Sequence, residues 1–244
     1  MTRFTSPITA AVLAALLLIL SVRPSIAAPA LMQLQIGTQP IRLPVPAGFA
    51  ETSRRSKELW NQALALSAGD GRIVAHFVTE KDLADFTSGA EVVFREFLLV
   101  QTPRRAEALT VTRAQFDKLR SGTIALQSEL SKRLEPRLSA EVERISKELS
   151  SFQGTSLTFR VGEIVPVSVD MNEPRTLIYT ILSQMSTKEG VTTTNQAMVS
   201  TVAYCFVAGK VVMLVAYRHF RSPNDLQISR AFVTQWASSL LSAN

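Results

Sequence analysis

The chain has 244 residues, a formal net charge of +6, 46% hydrophobic residues and one cysteine. A single cysteine excludes an intrachain disulfide, so stability must come from an apolar core, which a chain of this length can build as one domain. The charge is mild and its cations are scattered along the sequence, which excludes the dense basic footprint of a nucleic-acid binder.

In chain order, the first predicted element is an export signal. Arg3 charges the N-terminus, Ile8 to Val22 (ITAAVLAALLLILSV) carries no charge, and Arg23-Pro24 precedes the small residues Ser25, Ala27 and Ala28. Charged start, apolar centre and small-residue end is the order of a secretory signal peptide. The apolar run is shorter than the ~20 residues of a spanning helix, so cleavage rather than anchoring is expected. Cleavage after Ala27 avoids a product beginning at Pro29, where proline fixes φ. No cysteine lies nearby for lipid attachment, and no paired arginines mark a twin-arginine signal. The reading is a signal over 1–27, export by the general secretory route, and a soluble periplasmic or secreted product over 28–244.

Leu31 to Ile36 alternates as a strand, Gly37 to Pro40 turns, and Ile41 to Val45 reads as a second extended piece, confined to an edge by Pro44 and Pro46. Arg54 to Ala68 has a helical pattern stopped by Gly69 and Gly71. Arg72 to Thr79 reads as a strand, Thr79 to Asp82 as a capping box opening a helix to Phe86, and Glu91 to Gln101 as a longer strand. Thr112 to Gln115 is another capping box, opening a helix through Phe116 and Leu119. In the segment 123–152, Leu130, Leu134, Leu138, Val142, Ile145 and Leu149 form one apolar helical stripe, which Pro136 should kink. The remaining faces mix acids and bases, the pattern of a solvated surface rather than a polybasic membrane face.

The second half is strand-rich. Ser156 to Val161, Ile164 to Val169 and Thr176 to Met185 are candidate strands, separated by Gly162 and by Asn172 to Pro174. Val191 to Ala208 and Lys210 to His219 form a predicted hairpin, with Gly209-Lys210 at its turn. The nearly uncharged run Val199 to Tyr217 is read as two buried strands, since a membrane span would place Lys210 in lipid. Ser222-Pro223-Asn224-Asp225 is an N-terminal cap, and Leu226, Phe232, Val233, Trp236, Leu240 and Leu241 make the apolar face of a last helix. Together these elements predict an α+β fold: a central antiparallel sheet flanked by helices, an α/β/α sandwich, in a single domain over 28–244 with 123–152 as an added amphipathic helical segment.

Two stretches carry a family resemblance. Ile41-Arg-Leu-Pro-Val-Pro-Ala-Gly-Phe49 resembles the opening of small α/β/α sandwiches such as the photosystem II extrinsic protein P (PsbP-like) group. Gly209-Lys210-Val-Val-Met-Leu-Val-Ala-Tyr217, then Ser222 to Asp225, Trp236 and Asn244, resemble its ending. The likeness is to uncharacterised exported bacterial proteins with that layout. It implies an antiparallel sheet with helices on both faces, and it carries over no functional residue.

Chemistry is sparse in the pattern. The only histidines are His76, in a strand beside Phe77, and His219, at a strand end between Arg218 and Phe220. No HxH or HExxH spacing offers the three protein ligands of a catalytic zinc, and no GxSxG, GxGxxG or P-loop pattern occurs. Cys205, inside an apolar run, reads as a buried structural thiol. No catalytic, cofactor-binding or metal residue is therefore assigned, and no cofactor is expected. The expectation is a non-enzymatic binding or accessory protein of the cell envelope, contacting a macromolecular partner through the 123–152 segment. The alternative is an extracytoplasmic hydrolase using His76 or His219 as base.

Overall fold

The computed structural model describes residues 30–65, 71–130, 160–189 and 192–244. The signal over 1–27, the apolar stripe from Leu134 onward and the start of the strand expected from Ser156 lie outside the described residues.

β1 (Leu31–Ile36) and β2 (Gln39–Pro44) pair antiparallel as a separate hairpin. Their alternation is the reason: Leu34, Ile36, Ile41 and Leu43 are buried, whereas Gln33, Gln35 and Arg42 face solvent. Gly37 turns the hairpin at φ +58°, against the Glu107 carbonyl, where a Cβ would collide. A seven-stranded sheet follows, in the order β3 (Phe49–Glu51), β4 (Gly71–Thr79), β5 (Glu96–Pro103), β9 (Lys210–His219), β8 (Thr192–Val207), β7 (Thr176–Glu189), β6 (Arg160–Glu173). Every pairing is antiparallel. It is two meanders, β3–β4–β5 and β6–β7–β8–β9, joined where β5 pairs with β9 from Glu96↔Arg218 to Gln101↔Met213. The helices are α1 (Lys57–Ala65), α2 (Glu80–Thr87), α3 (Arg104–Glu107), α4 (113–130) and α5 (Pro223–Ala243). The chain is α+β, with an antiparallel sheet, as its patterning implies.

Alternate residues of β5 enter different cores. Leu98 and Val100 pack with Val233, Trp236, Ala237 and Leu240 of α5 and with the β1–β2 hairpin. Phe97 and Leu99 pack with Leu59 and Ala63 of α1, Leu83 of α2 and Ile124 of α4. A smaller cluster joins Val165, Leu182, Ala197, Val199 and Phe220. Burial of these side chains stabilises the fold by roughly 25 cal/mol per Å² of apolar area removed from water.

Several boundaries differ from the sequence pattern, each for a physical reason. Residues 91–95 are not strand; β5 begins at Glu96, where pairing with β9 begins. Gly162 does not separate two strands: β6 runs through it, and the register with β7 shifts between Val161 and Ile164, so the interruption is absorbed as a bulge. The β8–β9 turn is Ala208-Gly209 rather than Gly209-Lys210, with both residues at positive φ (46° and 74°), as a two-residue hairpin favours. Lys210 instead opens β9, buried, and its Nζ donates to the carbonyls of Glu107 (2.8 Å) and Leu109 (2.7 Å). Helix α4 runs unbroken from 113 to 130, so the helix opened at Thr112 and the start of the 123–152 segment are one element. β3 and α3 have no counterpart in the sequence reading.

Candidate functional site

His76 lies on β4, buried, in register with Leu99. Its Nδ1 is 3.0 Å from the Thr52 hydroxyl, the Thr52 N–H donates to its carbonyl (2.9 Å), and Phe97 stands edge-on to the ring at 6.1 Å. Burial pushes its pKa down to about 4. His219 ends β9, and its N–H donates to the Arg95 carbonyl (2.9 Å). Its ring is pushed down to about 4, first by burial and then by Arg221 and Arg95. The register places both rings on one sheet face, two strands apart and four residues along, roughly 16 Å from each other by strand geometry. They do not share a site. A histidine acting as base is typically oriented by a carboxylate; His76 instead meets a threonine and His219 two arginines.

Cys205 is fully buried on β8 between Thr176 and Val212, and burial pushes its thiol up to about 12. A thiol in that state is neither nucleophile nor metal ligand at neutral pH. Among the described residues no three His, Cys, Asp or Glu side chains gather as metal ligands.

The sequence also carries paired basic residues, at Arg54-Arg55, Arg104-Arg105 and Lys132-Arg133, and the run Arg218 to Arg221. Arg218 is held by Glu96 at 2.7 Å, and the neighbouring Phe220 is fully buried, so Arg218 to Arg221 is not a continuous cationic patch. Burial raises the Glu96 pKa, the Arg218 guanidinium opposing the shift. Arg54 and Arg55 are exposed on the loop before α1, Arg104 and Arg105 lie in α3, and Lys132-Arg133 falls outside the described residues.

The side chains that do assemble are ones the sequence reading missed. Asp170 of β6 accepts hydrogen bonds from Ser168 Oγ and Thr180 Oγ1, both at 2.6 Å. Arg230 of α5 donates through Nη2 to Ser168 (2.7 Å), and its Nε lies 3.0 Å from Asp170, misaligned for a hydrogen bond. Thr180 is 3.1 Å from Thr201, and Thr201 2.8 Å from Ser229. Thr180 has one hydroxyl proton and spends it on Asp170, so Thr201 must donate to Thr180, and Ser229 to Thr201. The result is a one-way chain of donors from α5 across β8 and β7 to a carboxylate on β6. Thr180, Thr201 and Ser229 are buried to 1% exposure or less, so the chain anchors the helix and presents no nucleophile to solvent. The signal that could have found it is the spacing of Ser, Thr and Asp on adjacent strands, but that spacing has meaning only once the strand register is known.

On the opposite face, Phe97 stacks on Tyr217 at 4.6 Å and Tyr179 on Tyr204 at 6.1 Å. Burial raises all three phenols above their ordinary value, so they stay protonated. Ser200, in register with Tyr217 and Ile181, is buried on this face, and its Oγ has no hydrogen-bond partner among the described residues.

No helix among the described residues is long and apolar enough to cross a membrane. No family model, no curated protein and no solved structure matches this chain.

Proposed function

We propose that this chain is an exported, non-enzymatic binding or accessory protein of the cell envelope, built as an α/β/α sandwich. One observation carries the reading: the side chains that chemistry would use are committed inside the fold. Both histidines are held neutral by burial with no carboxylate among the described residues acting on either, the one thiol is held protonated, and the Asp170 carboxylate accepts from Ser168 and Thr180. The sandwich reading is supported by the two cores, one shared with α5 and the β1–β2 hairpin, the other with α1, α2 and α4. It is supported too by the way the two resembling stretches touch: Trp236 Nε1 donates to the Pro44 carbonyl (2.9 Å), and the Asn244 amide exchanges hydrogen bonds with the Arg42 backbone (2.9 and 2.8 Å).

Export rests on the charged, apolar and small-residue order of 1–27. Partner contact is assigned to the 123–152 segment, whose apolar stripe begins at Leu130, within α4. The test has two arms. Crosslinking the protein in its own compartment should capture a partner that is lost when Leu134, Leu138 and Ile145 become Ser, with the fold retained by circular dichroism; collapse of the fold would instead assign the stripe to the protein's own core. The variant His76→Gln/His219→Gln should capture the partner like the unaltered chain. Loss of a hydrolytic activity in that variant would overturn the non-enzymatic reading.

A further inference from the structure

The seven-stranded sheet ends in β3 and β6, and both ends are blunted. β3 has three residues. β6 contains Pro166, and its register with β7 shifts at Val161/Ile164, Pro166/Ser168 and Val169/Met171. Short length, proline and bulges are the usual protections of an open edge.

A third stretch of edge has none of them. β7 and β8 pair without a shift from Thr176↔Cys205 to Glu189↔Thr192. β9 leaves β8 much earlier, at Met198↔His219, followed by one bond from the Phe220 N–H to the Ala197 carbonyl (2.9 Å). From Thr192 to Gln196, β8 therefore has β7 on one side and, among the described residues, no strand on the other. Beyond the end of β9 the β7–β8 pair, flanked by β6 as far as Arg160↔Ser186, forms an arm of the sheet.

Ladder parity identifies the open groups. Ala197 bonds toward β9, and the two-residue turn closes the same ladder at Val207↔Lys210, so odd-numbered residues of β8 address that side. The Phe206 N–H donates to the Arg175 carbonyl, so even-numbered residues address β7. Thr193 and Asn195 thus hold their N–H and C=O groups toward the open side. The stretch Thr192-Thr-Thr-Asn-Gln-Ala197 has no charge and no proline, and half of it is β-branched threonine.

We propose that this edge pairs with the same edge of a second copy of the chain, about a two-fold axis at Thr194. In that register Thr193 of one copy faces Asn195 of the other, and each such pair exchanges both of its backbone hydrogen bonds. A two-fold contact must be self-complementary, and an uncharged strand meets its own copy without like charges opposed. The dimer joins two sheets through their arms and uses none of the side chains assigned above.

Sedimentation velocity of the purified protein over a wide concentration range tests this. The expected result is a reversible shift from monomer to dimer. Asn195→Pro removes the N–H on the open side and leaves the ladder to β7 untouched; it should weaken association by about tenfold or more. Amide exchange gives a second reading on the unaltered chain: the Thr193 and Asn195 amides should gain protection as concentration rises. That reading decides the matter if Asn195→Pro fails to fold. A protein that stays monomeric throughout, an Asn195→Pro dimer as tight as the unaltered one, or amides whose protection ignores concentration would each overturn the proposal.

Discussion

At the scale of single residues, His76 and His219 make the fold sensitive to acid. Each has a native pKa of about 4 against an ordinary 6.5. Between those values the unfolded chain binds more protons than the native one, so stability falls as pH is lowered through the window from 6.5 to 4. The loss amounts to roughly 2–3 kcal/mol per ring by pH 4. Glu96 acts in the opposite sense, since its raised pKa makes the native state the better proton acceptor. The comparison that isolates a histidine is therefore a variant rather than a pH scan alone. In His76→Gln, the difference in urea-unfolding free energy between pH 7 and pH 4.5 should shrink by about 2 kcal/mol, whatever the variant's own stability. An unchanged difference would mean that His76 takes up its proton equally in the native and unfolded states. The sequence placed both histidines on strands and could go no further, because their burial depends on Thr52, Phe97 and Arg95, which arrive from other elements.

At the scale of elements, α5 shows what local pattern reveals and what it hides. Its start was legible: Ser222, Pro223 and Asp225 occupy the cap positions, and the Asp225 carboxylate accepts from the N–H groups of Arg221 and Ser222, each at 2.9 Å. Its apolar face was legible too, since Val233, Trp236 and Leu240 keep helical spacing and are buried. Ser229 and Arg230 look like ordinary polar positions in that pattern, yet they tie the helix to three strands through the donor chain ending on Asp170. Asp170→Asn should expose how that chain is wired. Ser168 and Thr180 donate to different carboxylate oxygens, and an amide has only one acceptor oxygen, so one hydroxyl must face an N–H while Arg230 loses its counter-charge. The expected cost in urea unfolding is about 2–3 kcal/mol, at the lower end for an ion pair because Arg230 is partly exposed. Thr201→Val leaves the Thr180-to-Asp170 bond intact and strands only Ser229, so about 1 kcal/mol is expected. The reverse order of costs would show that the donors do not run one way to Asp170.

At the scale of the molecule, the seam between β5 and β9 decides whether the two meanders behave as one body. No local pattern predicts that seam, because Leu98 and Ala216, which face each other across it, are more than a hundred residues apart, and each strand alone is only an apolar run. The same holds for β6, whose bulges exist only relative to β7, and for β3, too short to show any alternation. The first and last parts of the chain meet again at Trp236 and Pro44 and at Asn244 and Arg42, so both meanders share the α5 core. Two tryptophans happen to divide the labour of reporting on it. Trp60, on α1, packs in the core shared with β4 and β5, while Trp236, on α5, packs in the core on the other face. Single-tryptophan chains made by Trp60→Phe and Trp236→Phe each retain one reporter. If the seam makes one cooperative unit, the fluorescence transition in urea should coincide with the far-ultraviolet circular dichroism of the same variant, for both variants. Trp236→Phe should have the lower midpoint of the two, by an amount equivalent to about 1–2 kcal/mol, because it also removes the buried hydrogen bond to Pro44. A Trp60 signal that melts clearly before the dichroism of its own variant would mean that the β3–β5 meander opens by itself, and that pairing with β9 is too weak to bind the two halves into a single folding unit.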